Sequence, residues 1–324
     1  MFKTVETHTL GEPTRIILSG FPKYDAKSMI EYKEYLEANF DYYRSALMCE
    51  PRGHKDMVGA LLVEPISKEA DVGVIYMDAN RWINMCGHAT IGVAMTLINK
   101  KMIAVVEPVT EITLETPAGL IKVEVEVQNR KAVSVSFINV PSFLYLDNCK
   151  ISYSEKEVDF AISYSGSFFA LVNAEQFDKN ISLESVDYYK NLGVELLKII
   201  NEKYKVRHPL LNIGEVANIE FYQHNEKGQK NIVVSQEGQV DRSPCGTGTC
   251  AKLAYLYSTN KIGLNKKFVN QSFTGVSFKG EVTDTCKIGQ YEAIIPKITG
   301  MAYISGESTF LIDEDDPLKY GFNI

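Results

Sequence analysis

The chain repeats itself at half-length. Cys86 stands in Asn84-Met85-Cys86-Gly87-His88-Ala89-Thr90, and Cys245 in Ser243-Pro244-Cys245-Gly246-Thr247-Gly248-Thr249. Each cysteine is followed by Gly, by Thr four residues on, by a small residue six on (Gly92, Ala251) and by an apolar run. The two lie 159 residues apart in a chain of 324. A second pair of features keeps nearly that offset. Gly119 sits between the alternating segments Ile112-Thr113-Leu114-Glu115-Thr116 and Ile121-Lys122-Val123-Glu124-Val125-Glu126-Val127, and Gly275 sits 156 residues later in Phe273-Thr274-Gly275-Val276-Ser277-Phe278-Lys279-Gly280-Glu281-Val282. A period this long lies beyond the solenoid range and predicts two related domains facing each other. The switch is expected near Asn129-Arg130-Lys131, giving domains 1–130 and 131–299, with the tail 300–324 returning to the first.

The alternating segments have the period of two expected of half-buried strands, and Pro117-Ala118-Gly119 reads as a turn. Helical composition marks Ser28–Arg44 and Ser185–Lys203, and helices are expected over Thr90–Asn99 and Thr249–Thr259, after the two cysteines. The first of these is apolar all round, which predicts burial inside a sheet or barrel. The fold class is therefore α/β (α+β), with a strand–Cys–helix unit used twice.

Composition narrows the function. Hydrophobic content of 45% with 23% charged residues is that of a soluble globular protein. A net charge of −7 argues against a nucleic-acid partner. No run approaches the roughly 20 apolar residues that span a bilayer, and the first residues carry no sign of a signal peptide, so no membrane association is expected. The other cysteines, Cys49, Cys149, Cys250 and Cys286, do not form a disulfide framework, and free thiols in a reducing cytoplasm are the expected state. Cys49, Cys149 and Cys286 read as packing residues, and Cys250 as core within its helix.

A thiol at a helix start has a specific chemical setting. The helix N-terminus presents unpaired backbone N–H groups and a partial positive charge, and the following Gly leaves an anion room to approach. The same field favours thiolate. Two such thiols across one cleft suit removal of a proton from one face of a carbon and its return on the other, with the substrate carboxylate held between the helix ends. His88 and Asp241 are the nearest polar candidates for a substrate amine or for tuning a thiol. Either is alternatively a local structural residue, Asp241 through Arg242 or a turn. Zinc-site spacing is absent, so no metal is expected. Gly246-Thr247-Gly248-Thr249 is phosphate-loop-like but lacks the full motif.

These residues resemble the proline racemase family, which also contains hydroxyproline 2-epimerases and trans-3-hydroxyproline dehydratases. The resemblance rests on His8-Thr9-x-Gly11-Glu12-Pro13-Thr14-Arg15, Glu50-Pro51-Arg52-Gly53-His54, Met85-Cys86-Gly87-His88 and Asp241-Arg242-Ser243-Pro244-Cys245-Gly246-Thr247-Gly248-Thr249, with echoes in Pro296-Lys297-Ile298-Thr299-Gly300 and Asp316-Pro317-Leu318-Lys319. It implies the diaminopimelate-epimerase-like fold: two pseudo-symmetric domains, each a sheet wrapped round a central helix, with the active site in the cleft. It implies catalysis without a cofactor, Cys86 and Cys245 as the acid/base pair, and the N–H groups of Gly87, His88, Gly246 and Thr247 on the carboxylate. His88 and Asp241 would lie near the ring nitrogen of a small-molecule imino acid, and family members are commonly homodimers.

Thr replaces the second catalytic Cys in the dehydratases, which Cys245 argues against. Proline racemases resemble one another in carrying Phe where this chain has Val58 and Ser235. Smaller walls leave room for a ring hydroxyl, which Ser235 could bond, so the expected reaction is 4-hydroxyproline 2-epimerisation, with proline racemisation as the alternative. Ser165-Gly166-Ser167-Phe168-Phe169-Ala170 and the tail look more like proline racemases. A non-catalytic imino-acid binder and a thiol redox protein are the readings from other classes. The intact cysteine pair argues against the first, and the absence of C-x-x-C against the second.

Overall fold

Alternating residues become paired strands with one dry face. Val109–Thr116 pairs antiparallel with Gly119–Gln128, burying Ile112, Leu114, Val123, Val125 and Val127 while Glu111, Lys122, Glu124 and Glu126 face water. Gly119 closes the turn at φ +112°, a backbone region open to glycine and strained for other residues. Gly275, at φ +92°, serves the corresponding turn between Lys267–Ser272 and Ser277–Ile288. The strand expected over 273–282 thus starts late. Ser272 N–H bonds the Val276 carbonyl (2.8 Å) and Gly275 N–H the Ser272 carbonyl (2.9 Å), so Phe273–Val276 form a turn.

The computed structural model describes residues 1–226 and 228–323. The chain divides into two units, Met1–Phe137 with Gly300–Ile324, and Ile138–Thr299. The fold is mixed α+β, and the two units run through the same series of elements.

In the first unit, the hairpin Phe2–Thr9/Glu12–Ser19 leads to helix α1 (Met29–Met48) and then to Val58–Val63, parallel to the second hairpin strand. Val72–Asp78 pairs antiparallel with Val58–Val63, and the short strand Trp82–Ile83 delivers the chain to helix α2 (Gly87–Asn99). The hairpin that begins at Val109 follows, parallel to Val72–Asp78. Tyr303–Phe310 comes back to pair with Phe2–Thr9.

In the second unit, the hairpin Lys156–Ser165/Ser167–Asn173 leads to helix α3 (Val186–Lys203) and to Val216–Asn225, parallel to Ser167–Asn173. Gly228–Ser235 pairs antiparallel with Val216–Asn225. The short strand Val240–Asp241 delivers the chain to helix α4 (Gly246–Ser258), and Lys267–Ser272 runs parallel to Gly228–Ser235. The duplication seen in two turns of sequence therefore extends through the secondary structure of each unit.

Helix α2 is buried from Ala89 through Ile98, as an all-round apolar helix requires. It lies close to the first strand: a Cβ on Gly92 would stand 3.1 Å from Thr7 Oγ1. Helix α4 buries Gly248 through Ala254, including the unexpected Lys252. Both helices begin three residues before the expected Thr90 and Thr249, because the added residues, Gly87-His88-Ala89 and Gly246-Thr247-Gly248, include no large apolar side chain to mark a period. Helix α1 runs four residues past Arg44, with a kink at Phe40. Cys49, Cys149 and Cys250 are buried, whereas Cys286 is only partly so. Among the described residues, no helix is long and apolar enough to cross a membrane, and no cluster of His, Cys, Asp or Glu is placed to hold a metal ion.

Candidate active site

Each cysteine of the repeat is the N-cap of its helix, Cys86 of α2 and Cys245 of α4. The threonine four residues on explains itself in both places. Thr90 donates its N–H (2.9 Å) and hydroxyl (2.8 Å) to the Cys86 carbonyl, and Thr249 does the same to the Cys245 carbonyl (2.9 and 2.7 Å). The first turn of each helix is thereby locked to its cysteine.

What stands behind the two threonines differs. In the first unit the Tyr76 hydroxyl, fully buried, pairs with Thr90 Oγ1 at 2.7 Å. In the second unit Asn270 Nδ2 donates to Thr249 Oγ1 at 2.9 Å. Asn270 belongs to a buried amide cluster. Gln229, Asn231 and Asn270 donate to Glu220 Oε1 (3.1, 3.0 and 3.5 Å), and Asn231 also holds the Pro244 carbonyl (2.9 Å). None of these supporting residues carries a motif in the sequence. Their strands were not read from the sequence, because their burial does not alternate with a period of two.

The thiols themselves differ too. Cys86 is half-buried, with Sγ 3.4 Å from His88 Nδ1 and 3.8 Å from Nε2. The His8-Thr9 motif reaches the same turn, since Thr9 Oγ1 donates to the His88 carbonyl at 2.7 Å. Beneath it, buried Arg44 of α1 donates to the Asp78 and Ala79 carbonyls and pairs with Asp41, which also accepts the Trp82 indole N–H (2.8 Å). That lattice fixes the chain just ahead of Cys86.

Cys245 is 6% exposed and has φ +60°, a conformation uncommon for any residue but glycine. Its Sγ accepts the Gly248 N–H (3.3 Å) and lies 3.6 Å from Thr247 Oγ1. The helix field was expected to favour thiolate. Here burial outweighs it and, with the Asp241 carboxylate, pushes the Cys245 thiol well above its ordinary value, against the opposing Gly248 and Thr247 hydrogen bonds. Asp241 plays a turn role, its Oδ1 accepting Ser243 N–H (2.8 Å) and Oγ–H (2.7 Å), while Ser243 Oγ in turn accepts the Cys245 N–H (3.1 Å).

The glycines after the cysteines leave space. A Cβ on Gly246 would meet nothing within 4 Å, and one on Gly87 only Phe137 at 3.4 Å. Neither glycine is required by its neighbours, whereas open room beside helix N-terminal N–H groups suits a carboxylate. The first unit thus gathers Cys86, Gly87 and His88, and the second Asp241, Cys245, Gly246 and Thr247. Val58 is 5% exposed and opens its strand opposite Asp78. Ser235 is engaged in its own turn, where Oγ accepts the Gln239 N–H at 3.2 Å.

Comparison with known proteins covers the whole chain. A family model described as proline racemase matches residues 4–323. A proline racemase of Acetoanaerobium sticklandii is 48% identical over 326 residues, covering 99% of this chain and 97% of the relative. A 4-hydroxyproline 2-epimerase of Streptosporangium roseum is 36% identical over 326 residues, covering 99% of this chain and 98% of the relative. The crystal structure of a hydroxyproline epimerase from Agrobacterium vitis, with bound trans-4-hydroxy-L-proline, matches with a TM-score of 0.88 at 29% identity, covering 100% of this chain and 94% of that one.

Proposed function

Because this chain belongs to the proline racemase family, we propose that it interconverts L- and D-proline by two-thiol inversion at Cα, with Cys86 and Cys245 as the acid/base pair. The observation that carries this reading is the matched construction of the two turns: a cysteine N-cap, an unobstructed glycine and a threonine locking the cysteine carbonyl. Each unit supplies one thiol. The ionised thiol removes the Cα proton, the carbanion is stabilised through the carboxylate held by helix N-terminal N–H groups, and the other thiol donates its proton to the opposite face. Product leaves with the two thiols exchanged in protonation state; that state can take the D-isomer back, and proton exchange with water restores the starting state for the next L-proline, so no net acid, base or redox partner is consumed. The Gly87, His88, Gly246 and Thr247 N–H groups are the carboxylate donors, and His88 and Asp241 the polar groups for the ring nitrogen.

The substrate reading departs from the expected hydroxyproline. The relative named proline racemase is more similar than the one named 4-hydroxyproline 2-epimerase (48% against 36%). Ser235 Oγ accepts a turn N–H, which leaves its hydroxyl able to donate and decides nothing between the two rings. The similarity supports the unsubstituted ring.

Chiral chromatography of the reduced protein with L-proline and, separately, trans-4-hydroxy-L-proline tests the assignment. Conversion of L-proline to an equimolar mixture, with little change in the hydroxylated compound, is expected. The reverse preference would return the protein to the epimerases, and turnover of neither would overturn both readings.

A further inference from the structure

The most unusual buried group outside the reacting residues is Glu220. It is 0% exposed in the strand Val216–Asn225, and its two oxygens have different surroundings. Oε1 accepts the amides of Gln229, Asn231 and Asn270, while Oε2 is buried without a hydrogen-bond partner. A buried unpartnered carboxylate oxygen is costly and calls for a reason. Its position supplies one. A Cβ on Gly248 would stand 3.2 Å from Glu220 Oε2 and 3.2 Å from Cys245 Sγ, so both atoms border the space that a side chain at Gly248 would fill.

Through Asn231 and Asn270, the same carboxylate reaches the Pro244 carbonyl (2.9 and 3.3 Å), the residue before Cys245. Lys252, one turn beyond Gly248 on α4, is 1% exposed, with its Nζ 2.8 Å from the Tyr222 ring centroid. Burial pushes Glu220 up and Lys252 down, and their mutual attraction opposes both shifts.

We propose that Glu220 is a positioning residue for Cys245: it anchors the Pro244–Cys245 turn through Asn231 and Asn270, and its second oxygen, across Gly248, holds the Cys245 thiol in the protonated form. This deepens the two-thiol reading and rests on it for its catalytic meaning. Three amide donors on Oε1 and the attraction of Lys252 favour the ionised carboxylate, against the burial that raises Glu220 and lowers Lys252. The other titratable groups acting here are Asp241 from the short strand before α4, Cys250 and Tyr255 on α4, Tyr222 on the strand of Glu220, and Lys261, which acts on Lys252. Asp241 acts on Cys245 in the same sense as Glu220, and Glu220 also raises Cys250.

The test reads the thiol itself, independently of turnover. The cysteine 13Cβ shift, assigned by loss of its signal in Cys245→Ser, is followed by NMR from about pH 7 to 12 in the intact protein and in Glu220→Gln. The amide of Glu220→Gln keeps an oxygen for Asn231 and Asn270 but removes the charge. Thiolate is expected to form at lower pH than in the intact protein, roughly tenfold more at a given pH. A Glu220→Gln curve that coincides with the intact protein's or moves upward overturns the proposal, even if activity falls, because a merely structural role would leave the titration in place. If Glu220→Gln fails to fold, Glu220→Asp, which draws the charge back from Gly248, is followed instead, and a curve that does not move to lower pH overturns the proposal. Racemisation by the intact protein is followed in parallel, so failure of the two-thiol reading shows separately from failure of the Glu220 coupling.

Discussion

The Tyr76–Thr90 pair offers a stringent test of how Cys86 is held. The Tyr76 hydroxyl is fully buried and bonded to Thr90 Oγ1, which in turn donates to the Cys86 carbonyl. Burial also raises the tyrosine strongly, so ionisation offers it no escape. Thr90→Val keeps the shape of the side chain but strands a phenol in a dry site, and is expected to cost about 1–3 kcal/mol. Tyr76→Phe removes that phenol and leaves Thr90 bonded to the Cys86 carbonyl, for about 0.5–1.5 kcal/mol. In the double variant no polar group is stranded, because the Cys86 carbonyl still accepts the Thr90 N–H at 2.9 Å. The double variant should therefore cost less than the sum of the singles by about 1 kcal/mol. The only tryptophan, Trp82, lies 4% exposed in the same unit, so its fluorescence during urea unfolding reports this unit directly. Additive costs would refute the claim that the two hydroxyls form one unit. A Thr90→Val variant as stable as the starting protein would refute the stranded phenol.

Two further outcomes follow from the thiols. Cys86→Ser and Cys245→Ser should each reduce inversion of proline by about 1,000-fold or more, since a serine hydroxyl is hardly ever ionised and is a far weaker acid. Full activity in either variant, measured by chiral chromatography, would sink the two-base mechanism. The second outcome concerns alkaline pH. Burial raises Cys245, and Cys250 to about 12, so the folded protein keeps protons that the unfolded chain releases from about pH 8.5. Stability should be fully retained below that pH and fall as pH rises toward the folded-state values, by about 1.4 kcal/mol per pH unit for each such thiol. Thermal melts across that range should show a shallower fall in Cys245→Ser, and identical slopes would count against the buried-thiol account.

The repeat was legible because it lies in residues whose types are restricted. Glycine at +1 and threonine at +4 are read directly, and the structure gives each a task, open room beside the N-cap and a lock on its carbonyl. The alternating hairpins were equally plain, although the turn at Gly275 displaced the start of one strand to Ser277. Glu220, Asn231, Asn270 and Tyr76 were illegible for a physical reason. Glu220, Asn231 and Asn270 are polar residues buried on strands, with neighbours set by strand pairing: Gln229 stands opposite Asn270, and Asn231 opposite Ser272, across a parallel ladder. Tyr76 meets Thr90 on α2, a partner set by how the helix packs on its strand. Spacing along the chain does not reveal that neighbourhood.

The same distinction explains why two matching motifs yield two unlike thiols. The motif sets the helix start, but the proton affinity of each sulfur is set by what the rest of its unit places around it. Cys86 receives a histidine ring from its own turn and remains half-buried. Cys245 is buried with carboxylates from two other segments, Asp241 and Glu220. A reversible inversion uses each thiol once as acid and once as base, so the less favourable ionisation must still be reachable in every second half-cycle. Under the proposed two-thiol inversion, the Gly248 N–H on Cys245 Sγ would do more than cap α4: a donor from within the helix, it would stabilise the thiolate when Cys245 acts as base.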